Sequence, residues 1–213
     1  MDMQWTEHQT AIRLFQLDEI AALHRDTLAR PDWPRESEIA VDGELLPKVL
    51  ENHRLNSLLW AEEDQARRNN VSDSSIAANK RAIDRYNQGR NDAIEAIDEV
   101  ILSIMEREGQ PISPGAWVNS ETAGSLIDRL SIGSLKIHHM RLQCERLDAG
   151  ADHIQRCTEK LARLKAQHSH LASCLQALLT GMLEGSCTYR AHRQFKMYND
   201  PSLNPYLYRA SSQ

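Results

Sequence analysis

The sequence has few of the residues on which all-β proteins depend. Its 213 residues include only 9 Gly, 7 Pro, 2 Phe and 5 Tyr. A sandwich or barrel needs frequent turns and strands rich in aromatic and β-branched residues, so this composition disfavours both. Hydrophobic residues make up 41% of the chain and charged residues 26%, which is close to the average for globular proteins. We therefore expect a folded protein with a sizeable core.

Signals of membrane insertion, export and nucleic-acid binding are also missing. No run approaches 18 consecutive apolar residues, so no membrane span is expected. The first residues, Met1 to Trp5, lack the basic and apolar regions of a secretory signal. A net charge of −5 disfavours a nucleic-acid-binding role. The sequence predicts a cytoplasmic protein.

Several common catalytic and metal-binding motifs are absent. The 4 cysteines form no CxxC pair, which disfavours a zinc knuckle. The chain contains no GxGxxG, P-loop, HExxH or GxSxG motif. It has no Glu-x-x-His pair of the kind that holds iron in di-iron bundles. The standard sites of these enzyme classes are therefore not expected.

What the sequence does contain is helical periodicity between clear helix-breaking segments. Caps, prolines and glycines predict five helices, over residues 6–29, 44–70, 73–108, 121–147 and 151–184. Ser72 or Asp73 is the expected cap of the third helix, and Ser120 that of the fourth. The predicted fold is all-α: an antiparallel helical bundle over residues 1–188, followed by an irregular C-terminal arm over 189–213 that docks on it.

The fifth predicted helix carries a narrow apolar seam. From Ile154 to Met182, apolar residues alternate by three and four positions, which is typical of a coiled-coil contact. His168 lies within this seam and is expected to be a hydrogen-bonded core or interface residue. The seam over residues 154–182 packs either on the fourth helix or on a second copy of the chain, which would form a homodimer.

Polar residues adjoin the apolar stripes of the second and third helices. On a helical wheel, six side chains of the third helix fall within about 80°: Lys80, Asp84, Asn87, Asn91, Glu95 and Asp98. The second helix repeats the arrangement with Asn52, Asn56, Glu63, Arg67 and Asn70, which Trp60 and His53 flank. Because an antiparallel hairpin would bring both stripes together, we predict a shared polar groove.

This groove predicts a metal and phosphate site. Carboxylates and amides are ligands typical of Mg²⁺ or Mn²⁺. In this hypothesis Glu63, Glu95 and Asp98, with Asp84, hold the cation and supply any catalytic groups. Lys80 and Arg67 meet phosphate, and the amides of Asn56, Asn87 and Asn91 orient substrate or water. The alternative is a purely structural network of ion pairs and amides that fixes helix register.

Further candidate residues lie on the fourth helix and in the arm. Asp128 and Lys136 lie near one face of the fourth helix, where His138 and His139 could supply a general base. Tyr198 and Asn199 belong to a tail segment with two prolines, which we expect to cover the groove as a lid or to pack along the outside of the bundle. We include Asp128, Lys136, Tyr198 and Asn199 among the predicted substrate-binding residues.

Two family resemblances bear on function. The acidic pairs at 62–63 and at 95 and 98 resemble those of all-α nucleotide pyrophosphatases, which hold Mg²⁺ against nucleoside polyphosphates. More of the chain resembles an uncharacterised bacterial family, domain of unknown function 4254. The motifs that carry this resemblance are Asn56-Ser57-Leu58-Leu59-Trp60, Lys80 to Asp84, Arg90-Asn91-Asp92, Asn119-Ser120-Glu121-Thr122, residues 127–132 and residues 195–201. The resemblance implies a helical protein, often encoded near glycosyltransferases of envelope polysaccharides.

The sequence thus supports two functional hypotheses. In the first, the protein binds a divalent metal and a phosphorylated ligand, a nucleotide or sugar nucleotide of envelope polysaccharide metabolism. In the second, it is a non-catalytic partner or scaffold for glycosyltransferases, and its polar stripe is structural. Whether it is an enzyme stays open.

Overall fold

The computed structural model describes residues 13–35, 39–192 and 200–209, most of which are helical. The helices are α1 (Leu17–Leu28), α2 (Leu46–Gln65), α3 (Asp73–Glu108), α4 (Ala123–Cys144), α5 (Ala151–Leu183) and α6 (Pro205–Tyr208). Two short strands, β1 (Trp117–Asn119) and β2 (Cys187–Tyr189), form a parallel pair. The predicted all-α class is confirmed.

The ends of α3 and α4 follow from their capping residues. Ser72 caps α3, as predicted, and its hydroxyl accepts the N–H of Ser75 over 3.3 Å. Thr122, and not the predicted Ser120, caps α4 by accepting the N–H of Ser125 over 3.1 Å. Both residue types cap helices well. Because β1 is paired up to Asn119, the chain bends at Ser120 and Glu121, and the helix starts after the next suitable cap.

Helix α2 is shorter than predicted. It ends at Gln65, five residues before the predicted end at Asn70, and the N–H of Arg67 bonds the carbonyl of Asp64 in a tighter turn. The residues that follow are exposed and include two asparagines, whose side chains compete for backbone hydrogen bonds and disfavour helix. Asn70 is therefore not part of the polar stripe of α2.

Two antiparallel helical hairpins form the bundle. In the α2/α3 hairpin, Glu62 lies level with Asn79, and Gly89 lies level with Leu55, whose methyl carbons would be 3.3 Å from a Cβ at Gly89. The α4/α5 hairpin packs against it, and α1 contacts both α2 and α4. The shared core includes Ile97 of α3, Ile127 of α4 and Leu175 and Leu179 of α5, all at most 2% exposed.

The seam of α5 packs on α4 of the same chain. Leu175, Leu178 and Met182 are buried in one cluster with Leu126 and Leu130 of α4. Farther along the seam, the ring of His168 lies against Gly133 and its Nε2 atom is 3.0 Å from the hydroxyl of Ser134. The first of the two predicted partners therefore covers the seam, and the homodimer stays a prediction.

The two strands close one end of the bundle, and the sequence did not predict them. Trp117 pairs with Cys187 and Asn119 with Tyr189. Tyr189, the first residue of the predicted arm, is only 4% exposed and belongs to the core. The other described residues of the arm, 190–192 and 200–209, are mostly exposed, and the docking of the arm stays a prediction. Within the described ranges, no helix has the length and apolar character needed to cross a membrane.

Candidate functional site

A buried hydrogen-bond network joins α2, α3 and α4 around the carboxylate of Asp128. Asn52 and Asn56 donate their amide N–H groups to Oδ1 of Asp128 over 3.0 and 2.9 Å. The Nε atom of Arg90 lies 3.3 Å from the same oxygen and forms an ion pair with it. The sequence predicted Asn56 and Asp128 as substrate-binding residues, but here they bond to each other. Their buried network fixes the relative positions of three helices.

Histidines from α1 and α2 extend this network. His53 places Nδ1 2.7 Å from the hydroxyl of Ser131, which also accepts the amide of Asn56 over 3.0 Å. The ring of His53 lies 4.5 Å from that of His24 and 5.5 Å from that of Trp33. Burial lowers the pKa of His53 to about 3 and, with the nearby His53, lowers that of His24 well below its ordinary value. Both rings are therefore neutral at physiological pH.

Asp98 lies in a separate buried site at the start of α4. Its Oδ1 atom accepts the N–H of Gly124 over 2.7 Å. A carboxylate at this position compensates the positive end of the helix dipole. Burial raises the pKa of Asp98, although neighbouring hydrogen-bond donors oppose the shift. The buried Tyr189 lies beside it, and burial together with the charge of Asp98 raises the pKa of that phenol. Asp98, on α3, thus bonds the first turn of α4 and lies next to Tyr189 of β2.

The predicted charges at the other end of the α2/α3 hairpin form surface pairs. Lys80 pairs with Asp84, and both side chains are more than half exposed. Arg67 pairs with Glu63 over 3.0 Å. Pairs spaced by four residues on an exposed helix contribute only a few tenths of a kcal/mol. These contacts are those of an ordinary solvated helix surface.

The three predicted metal ligands do not converge. The carboxylate of Glu62 accepts a hydrogen bond from the amide of Asn79 over 2.6 Å. The adjacent Glu63 therefore lies at the level of Asn79 along α3. Asp98 lies nineteen residues farther along α3, so the two levels are about 28 Å apart at 1.5 Å per residue. The helical wheels placed these residues on the polar stripes of two neighbouring helices, but a wheel carries no axial distance. Within the described residues, no three His, Cys, Asp or Glu side chains are arranged to hold a metal ion. Binding of Mg²⁺ or Mn²⁺ stays a prediction.

The remaining predicted residues of α3 are half-buried, and two residues of the arm cannot be placed. Asn87 and Asn91 are partly buried on α3, as is Glu95, which lies one turn before Asp98. The negative charge of Glu95 contributes to the raised pKa of Asp98. Tyr198 and Asn199 lie outside the described residues.

A groove runs along α4, between this helix and its neighbours α2 and α5, and consists of two adjoining cavities. The α4–α5 cavity has a volume of about 570 Å³ and is lined by residues that include Arg129, Gly133, Lys136, Gln167 and His170. The α2–α4 cavity, of about 410 Å³, is lined by residues that include Trp60, Asp64, Lys136, His139 and Gln143. Lys136 and Leu164 line both cavities. We call the two together the α4 groove.

Among the predicted substrate-binding residues that the structure describes, Lys136 alone lines this groove, and it lines both cavities. It is exposed, and no carboxylate of the described residues forms an ion pair with it. Arg129, on the same cavity wall, is partly neutralised because its Nη1 atom bonds both oxygens of Glu121 over 2.7 and 2.6 Å. The groove therefore presents a lysine whose charge is available to an anion.

Two stacked rings line the α2–α4 cavity. Trp60 and His139 have centroids 4.5 Å apart and planes inclined by only 3°. Burial lowers the pKa of His139, and the charge of Asp64 opposes that shift. The sequence placed Trp60 beside the polar stripe and proposed His139 as a general base, but it did not predict their stacking. That contact depends on how α2 and α4 are aligned, which no local pattern specifies.

Comparison with known families supports one assignment. The family described as "Protein of unknown function (DUF4254)" matches residues 47–191, about two thirds of the chain. The chain belongs to this family. The matched region includes α2 from its second residue, α3 to α5, both strands and every described residue that lines the α4 groove. No curated protein and no solved structure matches the chain.

Proposed function

We propose that this member of the DUF4254 family binds a phosphorylated small molecule, a nucleotide or sugar nucleotide, in the α4 groove. The observation that carries the proposal is the exposed ammonium of Lys136, which has no ion-pair partner among the described residues and lines both cavities. A lysine binds phosphate as a compact charge with several donors. The concave surface around it provides the enclosure that a small ligand needs.

The charge distribution favours a phosphate in the α4–α5 cavity. Its lining includes Lys136 and Arg129, and no Asp or Glu is among its described lining residues. Gln167 and His170 add groups that can donate hydrogen bonds to phosphate oxygens. An anion bound at Lys136 meets positive charge, and the nearest carboxylate that the structure shows at this cavity, that of Glu121, is already paired with Arg129.

The proposal concerns binding and includes no chemical step. The link to envelope polysaccharide metabolism rests on the family resemblance described for the sequence. The divalent cation is a separate hypothesis, tested by the thermal shift that Mg²⁺ or Mn²⁺ produces in the wild type and in Glu63→Gln and Glu95→Gln. Equal shifts in all three proteins would remove Glu63 and Glu95 as metal ligands.

Calorimetric titration with UDP and UDP-glucose tests the proposal. Lys136→Gln removes the charge and retains much of the side-chain length. A hydrogen bond to a charged group contributes about 1.5–3 kcal/mol, so affinity should fall about 10- to 150-fold. Lys48→Gln is the matched control, because Lys48 is also an exposed helical lysine but lies near the start of α2, away from the groove.

Two outcomes would contradict the proposal. One is that neither probe binds the wild-type protein, and that other nucleoside diphosphates also fail to bind. The other is that Lys136→Gln and Lys48→Gln change the affinity equally, since binding would then reflect only the overall charge of the protein. Affinity of the wild type should also fall as salt is added, because exposed charges are screened.

One observation favours the second hypothesis, a non-catalytic partner of glycosyltransferases. Ile112, Trp117 and Val118 are each at least 52% exposed around β1. Large apolar side chains exposed in one segment of the chain are candidates for a protein interaction surface. If this role is correct, Trp117→Ser should impair polysaccharide production in the native host, whereas Lys136→Gln should not.

A further inference from the structure

We propose that the ligand is a nucleotide whose base stacks on the Trp60–His139 pair in the α2–α4 cavity, while its phosphate reaches Lys136. This inference rests on the proposed function, because it needs the phosphate site at Lys136. It adds a binding site for the base, which the phosphate site alone does not specify. A free sugar phosphate has no aromatic ring and could not use the second cavity in this way.

The first support is the ring pair itself. Trp60 comes from α2 and His139 from α4, and their planes are parallel within 3° at 4.5 Å. Both rings line the α2–α4 cavity. Stacking on aromatic side chains accepts any base, since every base has a π-face. The parallel rings therefore offer an aromatic surface that is already ordered before a ligand arrives.

The second support is the electrostatic character of this cavity. Burial lowers the pKa of His139, so that its ring is neutral near pH 7 and stacks as an uncharged aromatic group. The carboxylate of Asp64 and the amide of Gln143 also line the cavity. A carboxylate would repel a phosphate, but it accepts hydrogen bonds from the N–H groups that bases present. The cavity thus suits the base end of a nucleotide.

The third support is the position of Lys136 between the two cavities. Lys136 lies three residues before His139 on α4, so both side chains lie on one side of the helix and about 4.5 Å apart along its axis. The same lysine lines the α4–α5 cavity, which contains the second basic residue, Arg129. One ligand can therefore place its base on His139 and Trp60 and its phosphate on Lys136.

Titration with ribose 5-phosphate and with UMP, AMP and GMP tests this arrangement. In the wild type, at least one nucleotide should bind about 5- to 150-fold more tightly than ribose 5-phosphate, the ratio that corresponds to 1–3 kcal/mol of base stacking. Trp60→Leu and His139→Ala should each reduce this ratio towards one while ribose 5-phosphate still binds. Trp60→Phe, which retains an aromatic ring, should preserve most of it. Trp117→Leu is the control, because Trp117 lies on β1, outside the groove.

Fluorescence gives a second reading that does not depend on affinity. Stacking of a base near Trp60 should change the tryptophan emission of the wild type, and this change should be lost in Trp60→Phe even though the nucleotide still binds. Each of the four variants is first checked for native helicity, so that loss of fold is not taken for loss of stacking.

The two proposals fail in different ways. If ribose 5-phosphate binds through Lys136 but no nucleotide binds more tightly, the base-stacking inference is wrong and the proposed function remains. If no phosphate compound binds, both are wrong. If nucleotides bind better but Trp60→Leu and His139→Ala leave the ratio unchanged, the base lies elsewhere and the inference is again wrong.

Discussion

Replacing His53 by glutamine should make the stability of the protein less sensitive to acid. The pKa of His53 is about 3 in the folded state because the ring is buried, and it is about 6.5 in an unfolded chain. Between these values the unfolded chain binds a proton that the folded chain does not bind. The contribution of His53 is therefore fully present above pH 6.5 and is progressively lost as the pH falls towards 3.

The expected size follows from these two pKa values. At pH 5.0 the linkage relation gives a loss of about 2 kcal/mol from His53 alone, compared with pH 7.5. This value is a large fraction of the stability of a typical domain, about 5–15 kcal/mol. His24, whose pKa is also lowered, remains in the variant and contributes in the same direction. Removing His53 should reduce the acid sensitivity and leave part of it.

Urea unfolding at pH 7.5 and pH 5.0 measures the effect. His53→Gln should be less stable than the wild type at pH 7.5, since it alters the packing against Trp33 and the contact with Ser131. Its loss between the two pH values should nevertheless be about 2 kcal/mol smaller than that of the wild type. His192→Gln, at an exposed position, should behave like the wild type. If His53→Gln loses as much stability on acidification as the wild type, the assigned burial effect is refuted.

Two further stability predictions concern Asp128 and Gly124. Asp128→Asn should lower the free energy of unfolding in urea by about 1.5–3 kcal/mol, because it removes the buried charge that Asn52, Asn56 and Arg90 contact. Asp84→Asn, at an exposed pair, should cost less than about 1 kcal/mol. Similar losses in both variants would contradict a structural role for the buried network. Gly124→Ala should lower the free energy of unfolding by about 1–3 kcal/mol, because the added Cβ would lie 2.6 Å from a backbone oxygen of α3. In Gly89→Ala the added Cβ would contact flexible methyl groups at 3.3 Å, and alanine has the higher helix propensity. A larger loss of stability at Gly89 than at Gly124 would therefore contradict the close packing assigned to Gly124.

The sequence predicted the helices well because their signals are local. The cap at Ser72, the proline in the first turn of α2 and the period of α5 all lie within a few residues of the features they determine. The pairing of β1 with β2 joins residues about seventy positions apart. Each strand is only three residues long and carries no periodicity that could reveal it. Such long-range contacts depend on the assembled bundle.

The candidate site was only partly predictable for the same reason. A helical wheel gives the direction of a side chain but not its position along the axis, so it placed Glu63 and Asp98 together although their levels on the α2/α3 hairpin differ by about 28 Å. Lys136 was among the predicted substrate-binding residues, and its role stays a prediction; that no described carboxylate pairs with it became visible only in three dimensions. The Trp60–His139 stack depends on the alignment of two helices that are separated by α3 in the sequence.

The buried network and the Trp60–His139 stack lie at different levels of the same helix, α4. Asp128 and Ser131 face α2 and α3 and bond their side chains, whereas Lys136 and His139 line the groove. Because polar groups that satisfy one another in a core resist displacement, the network holds α4 at a defined position against α2. That position is what brings His139 over Trp60 within 4.5 Å. The polar stripe of α2 therefore supports the groove indirectly, by aligning the helices. The residues that would contact a ligand, Trp60, Lys136 and His139, are not part of the buried network.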